Sequence, residues 1–248
     1  MKLYLAGVRN EFEKLRAKKK YFVFLIIEIA ICVLLLLIET ALKRVSGGLF
    51  NIGIVDMSLV MLTFFIQVYI PLIIFMASCD LFSTEIQDGT IKAVLMRPIS
   101  RLKIFLGKIT AIMLLACVFL ASLFITTILI EALFSGGVRN FWVSFGAYAL
   151  DIVPLFILLL MAVLINQFTK SSTLAMFVLI LTYTLLMIVG ILIPQLSGLL
   201  FTGYSQWHNI WIGQTIPFWP MISKIGLLAG YGTIFMSAGY YLFDRREI

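Results

Sequence analysis

Six apolar runs, each about the length that crosses a bilayer, constrain this chain more than any other feature. They lie at about Tyr21–Leu42, Met57–Cys79, Ile104–Ile130, Phe145–Phe168, Thr173–Pro194 and Ile222–Phe243. A helix needs roughly 20 apolar residues to span the hydrocarbon core, and inside it every peptide group must find its hydrogen bond within the protein. The expected fold is therefore all-α: a polytopic membrane bundle of six transmembrane helices, residues 1–248 forming one domain. Composition agrees, with 62% hydrophobic and 12% charged residues, against roughly 25% charged in soluble domains. No internal repeat, low-complexity tract or flexible linker divides the chain.

Residues 1–20 differ from the rest. Leu5, Val8, Phe12 and Leu15 recur at helical spacing, while Arg9, Glu13, Lys14, Arg16 and Lys18 fall largely on other faces. That pattern predicts an amphipathic helix lying flat in the headgroup layer. The first apolar run follows about twenty such residues and is long enough to span, so it is expected to stay in the mature protein rather than act as a signal peptide. The third run extends from Leu102 to Phe134; at 1.5 Å per residue it reaches about 50 Å and is expected to project beyond the membrane.

Basic residues set the orientation. Of the nineteen Lys and Arg, four (Lys43, Arg44, Arg139 and Lys224) fall on one side of the spans and fifteen on the other. The positive-inside rule then places both termini, the segment from Phe82 to Lys108 and the turn at Lys170 in the cytoplasm. This is the pattern of a multi-pass plasma-membrane protein of bacterial type. The net charge of +7 flanks the spans without the aromatic interleaving of a nucleic-acid surface, so no nucleic-acid partner is expected.

Catalytic signatures are absent. The single histidine, His208, has no second histidine to form a zinc pair, and the three cysteines, Cys32, Cys79 and Cys117, lack paired spacing. There is no G-x-S-x-G elbow. Gly107-Lys108 is followed by Ile109 and lacks the earlier glycine of a phosphate-binding loop. The chain is expected not to be an enzyme and to carry no cofactor or metal. Glu28 is the one acidic residue well inside a span, a possible intramembrane polar site: its carboxyl could pair with a neighbouring group, meet a second subunit, or serve a proton-coupled carrier. Glu39, Glu131 and Asp151 lie towards outer span ends, where water is expected to reach them.

Two segments outside the spans stand out. Gln195 to Met221 sets Trp207, Trp211, Phe218 and Trp219 among Gly203, Gly213, Pro217 and Pro220. Amphipathic rings favour the membrane interface, so this extracytoplasmic stretch (195–221) is expected at or within the outer leaflet, as an exit gate or as a plain aromatic belt. On the other side, residues 82–101 form a polar island. Thr84 and Gln87 have capping-box spacing, Gly89 suits a helix C-terminus, Thr90 can cap a second helix over Ile91 to Met96, and Pro98 ends it.

Glu85, Asp88, Gly89 and Thr90, the apolar face Ile91, Val94 and Leu95, then Arg97, Pro98, Ser100 and Arg101, resemble the cytoplasmic coupling segment of ABC type-2 exporter permeases. The closing Phe243-Asp244-Arg245-Arg246 and the basic amphipathic start are similar to the same family. The resemblance implies a permease subunit whose short helix seats on a cytoplasmic ABC ATPase. ATP and Mg would be bound there and not on this chain. It further implies two ATPase copies and a second permease subunit, identical or paralogous, in membrane lipid. Apolar spans suit a lipophilic or amphipathic cargo such as an antimicrobial peptide, drug or lipid. A non-transporting membrane sensor or binding subunit and a proton-coupled carrier using Glu28 are the alternatives.

Overall fold

The computed structural model describes residues 2–45, 57–90, 100–134, 140–211 and 218–245. Among these all regular structure is helical, and six helices are long and apolar enough to cross a membrane. Helix α1 is Lys2–Ala17, and α2 is Lys19–Val45. The rod α3 joins α-helical pieces Met57–Phe64, Ile70–Ser78 and Thr84–Gln87 through π-helical turns at Phe65–Tyr69 and Cys79–Ser83. Then come α4 (Arg101–Phe134), α5 (Phe141–Leu150), α6 (Ile152–Phe168), α7 (Ser172–Leu192) and α8 (Phe218–Asp244). Short turns at Pro194–Ser197, Phe201–Tyr204 and His208–Trp211 lie between α7 and α8.

Two of the irregularities in the spans trace to proline. Pro71 has no N–H to offer the carbonyl four residues back, that of Gln67, and its ring would crowd that turn. The π turn at Phe65–Tyr69 opens the helix there, and the Tyr183 hydroxyl of α7 donates to the Gln67 carbonyl at 2.8 Å. The lost bond is thus replaced across helices, as lipid demands. The fourth span was expected as one helix, yet it breaks at Asp151 between α5 and α6. Pro154 sits in the first turn of α6, the position a helix tolerates, so the break falls just before it.

α3 was expected to end near Cys79 with Thr84 capping a new helix. Instead it continues to Gln87, and Thr84 Oγ1 donates to the Cys79 carbonyl at 3.2 Å. Polar residues extend this helix because each one finds a partner. α4 spans the full run expected from hydropathy.

The spans α3 and α6 are the most buried and α7 and α8 the least. Along α4 lies α1, with Val8 and Leu15 buried, Phe12 packed on the core, and Tyr4 Oη 2.7 Å from Thr110 Oγ1. The stripe expected to face headgroups is therefore largely covered by protein, and Leu5 alone of the four is exposed. Burying each such side chain stabilises the docking by about 1.5–3 kcal/mol.

Candidate functional site

Four ionic side chains converge where α1, α3 and α4 meet. Lys108 of α4 is wholly buried, and its ammonium donates to Glu85 Oε2 at 2.6 Å, to the Leu81 carbonyl at 2.9 Å and to Glu11 Oε2 at 3.2 Å. An ammonium has three protons, and these three acceptors use them all. Lys14 of α1 completes the set, 2.7 Å from Glu11 Oε1 and 2.9 Å from Glu85 Oε1. Two carboxylates and two ammoniums balance in charge. Burial acts to raise the Glu11 pKa, but Lys108 and Lys14 outweigh it and hold the carboxyl below its ordinary range. Burial likewise acts to lower the Lys14 pKa, yet its bonds to Glu11 and Glu85 leave it raised.

A second acidic centre lies beside the first. Asp80 is buried and accepts from Tyr21 Oη at 2.5 Å, from Lys18 at 3.0 Å and from Lys20 at 2.7 Å. The basic residues counted above as topology signals thus also fasten the α1–α2 corner to α3. From the other flank, Asn166 of α6 bonds Ser83 Oγ at 2.5 Å and Ser78 Oγ at 3.0 Å. Ser172 N donates to Gln87 Oε1 at 3.1 Å, joining the start of α7 to the end of α3. Phe243 of α8 packs its ring 6.2 Å from Phe82 and 5.3 Å from Phe105, and Arg101 donates to the Asp244 carbonyl. Both ends of the 88–100 stretch are therefore anchored to rigid helices.

Gly89 takes φ +68°, a left-handed turn for which glycine is suited, and Asp88 and Thr90 are exposed beside it. Thr90 Oγ1 donates to the Glu85 carbonyl at 3.3 Å, and Ser100 is exposed, its carbonyl accepting Lys103 N at 2.9 Å in the first turn of α4. Ile91, Val94, Leu95, Arg97 and Pro98 lie outside the described residues. Glu85, expected to face a partner, turns inward instead, because Lys108 and Lys14 supply the counter-charge that an isolated buried carboxylate lacks.

At the far end of the bundle, Asp151 and His208 form a buried pair. Asp151 accepts His208 Nδ1–H at 2.6 Å and the His208 backbone N–H at 2.8 Å. Asp151 and Glu131 were expected within reach of water, but both are buried; for Asp151 the compensation is His208. This pairing fixes the turn His208–Trp211 over the α5–α6 break. Trp207 is buried with its ring 5.7 Å from Tyr204 and 6.1 Å from Trp211. Trp211 is part-exposed and Trp219 largely exposed, and Phe218 begins α8. Gly203 lies where a Cβ would stand 2.4 Å from the Ser197 carbonyl, so only glycine permits this fold-back. Trp207 and Trp211 close one end of a lateral apolar groove of about 990 Å³ between α6 and α8, lined also by Phe156, Leu160, Gly232 and Tyr240. Glu28 is fully buried on α2.

Sequence reading missed Glu11, Lys14, Lys108, Asp80, Asn166 and the Asp151–His208 pair. Lys108 could have been noticed: it stands two turns inside an otherwise apolar run, where a cation needs a partner. Its carboxylates could not, since Glu11 and Glu85 come from distant parts of the chain.

The decisive comparison is with a family model described as ABC-2 family transporter protein, which matches residues 8–187. The chain belongs to the ABC-2 transporter family. It is the multi-pass membrane permease of such a transporter, and that membership implies an ATPase partner. The matched region contains both halves of the ion network, from Glu11 to Lys108. Comparison with curated proteins gives no match.

Proposed function

We propose that this permease exports a lipophilic or amphipathic cargo, such as an antimicrobial peptide, drug or lipid, across a bacterial plasma membrane, driven by a separate ATPase. The observation that carries the reading is the charge-balanced network of Glu11, Lys14, Glu85 and Lys108 at the base of the 88–100 stretch. Two ATPase copies, holding ATP and Mg, would close beneath two permeases and press on that stretch. Its anchored ends pass the displacement into α1, α3, α4 and α8 together. Asp88, Thr90 and the residues up to Pro98 meet the ATPase, while Glu85 and Arg101 act from within as supports. The Lys108 end is cytoplasmic, and the groove ending at Trp207 and Trp211 offers an apolar surface towards the outer leaflet. This polypeptide makes or breaks no bond in the cargo and binds no cofactor of its own.

Differing contacts in two states are what allow ATP binding to bias the path. A co-expressed ATPase encoded beside this chain tests the reading. Co-purification and hydrolysis that requires the ATPase chain are expected, with Asp88→Lys weakening association and leaving insertion intact. Hydrolysis by the purified permease alone, or no association with any such ATPase, would overturn it.

A further inference from the structure

Glu28 is the exception among the buried acids of the described residues. Glu11, Asp80, Glu85 and Asp151 are all ion-paired, whereas neither carboxyl oxygen of Glu28 meets a hydrogen-bonding group of the described residues. Its exposure is 0% within the single chain. A second permease subunit would reach it only if α2 moved. Its position on α2 is also specific. Tyr69, at the end of the π turn in α3, donates its hydroxyl to the Phe24 carbonyl, one helical turn before Glu28. Single π turns inside helices recur at functional sites.

Among the described residues, the ionisable side chains that interact electrostatically with Glu28 are Cys32 on its own helix, Tyr69 on α3 and Tyr148 on α5. None is a cation. On α4, Phe119 faces the Tyr69 ring at 6.4 Å, and the ionisable residues of its apolar stretch, Cys117 and Glu131, make no hydrogen bond to Glu28. Lys20, on α2 itself, is committed to Asp80. An ionised carboxylate here would be desolvated with no counter-charge among the described residues, a far larger penalty than the unpaired polar atoms that an uncharged acid leaves.

We propose that Glu28 is a proton-binding site: a neutral carboxylic acid inside the closed bundle that yields its proton to water when α2 parts from α3. The bond broken is the carboxyl O–H, and the proton passes to water on the side that has opened. The parting of α2 from α3 rests on the exporter reading; the resting proton does not. Each transport cycle would then release and recover one proton per permease, and acid would favour the closed bundle.

Infrared difference spectroscopy of the purified chain in lipid at neutral pH tests the resting state directly. The carbonyl stretch of a protonated carboxylic acid should be present in the native chain and lost in Glu28→Gln; identical spectra in that region overturn the proposal. Should the variant fail to insert, carboxyl-labelled glutamate in the native chain shows the same protonated signal by carbon NMR, and its absence is equally fatal. With the ATPase partner and nucleotide bound, the band should weaken in the native chain. A band unchanged while nucleotide is being hydrolysed overturns the release step. Failure of the exporter reading registers separately, as absent ATPase association, with the resting spectrum still deciding whether Glu28 holds the proton.

Discussion

Lys108 Nζ lies 2.6 Å from Glu85 Oε2, and the lysine has no solvent exposure. Residues on α3 and α4 are thereby held together directly below the segment that joins them. Removing both acids, with Glu11→Gln and Glu85→Gln, leaves a buried ammonium uncompensated and should destabilise the fold by about 3–5 kcal/mol. Adding Lys108→Met should restore more than half of that, since an apolar replacement removes the stranded charge. Thermal unfolding in detergent measures both. A triple variant no more stable than the double would show that the network does not act as a unit.

Acid should loosen α1 first. The folded pKa of Glu11 is depressed, so its stabilisation is present above the unfolded value near 4.5 and is lost as pH falls through the lower folded value. Lys14 has the opposite sign: its pKa is raised, so its contribution is full below about 10.5 and fades as pH rises through the folded value. Docking of α1 is therefore expected to hold between those limits. Hydrogen exchange of residues 4–17 should accelerate below pH 4.5 more than exchange in α6, and Glu11→Gln should flatten that acid response. Equal acceleration in both helices would mean that acid acts on the bundle as a whole.

The Asp151–His208 pair makes a local forecast. Asparagine at 151 can accept through one oxygen only, so Asp151→Asn leaves a buried donor of His208 unpaired at about 1–3 kcal/mol. The loss should be confined to the turn at His208–Trp211, read as faster exchange there and a shifted emission from Trp207, with the Lys108 end unchanged.

How much of this was legible follows from range in sequence. Span number and the long α4 come from apolar run length, and Gly89 from a turn signal, each contained within a few consecutive residues. The network was not legible, because Glu11, Glu85 and Lys108 are neighbours only after three helices pack. The break at Asp151 had a local cue in Pro154, but its partner His208 lies in a different segment. Thr84 misled because capping spacing also occurs inside a helix when the side chain can bond back to the preceding turn.

Orientation gives the least expensive test. In a background lacking Cys32, Cys79 and Cys117, a single cysteine at the exposed Asp88 position should resist an impermeant thiol reagent in intact cells, and one at the exposed Asn209 position should react. The fifteen-to-four division of basic residues underlies the sign. Reversed labelling would place the Lys108 network away from any cytoplasmic ATPase.

Trp207 and Trp211 separate a gate from a belt. Trp207 is 3% exposed, wedged against Tyr204 and Trp211, whereas Trp211 is 37% exposed at the mouth of the α6–α8 groove. Trp207→Ala removes a packed core ring and should destabilise by about 3–5 kcal/mol, lowering protein level and export together. Trp211→Ala removes a ring that an apolar cargo in the groove would touch, so expression should stay near the native level while the ratio of export rates between a large and a small cargo changes. Export of two cargos, each normalised to membrane protein level with the ATPase present, decides the matter. If Trp211→Ala depresses both cargos equally and in proportion to protein level, the outer segment is an interfacial belt that only sets depth. A changed ratio at unchanged level is what a cargo-contacting mouth requires.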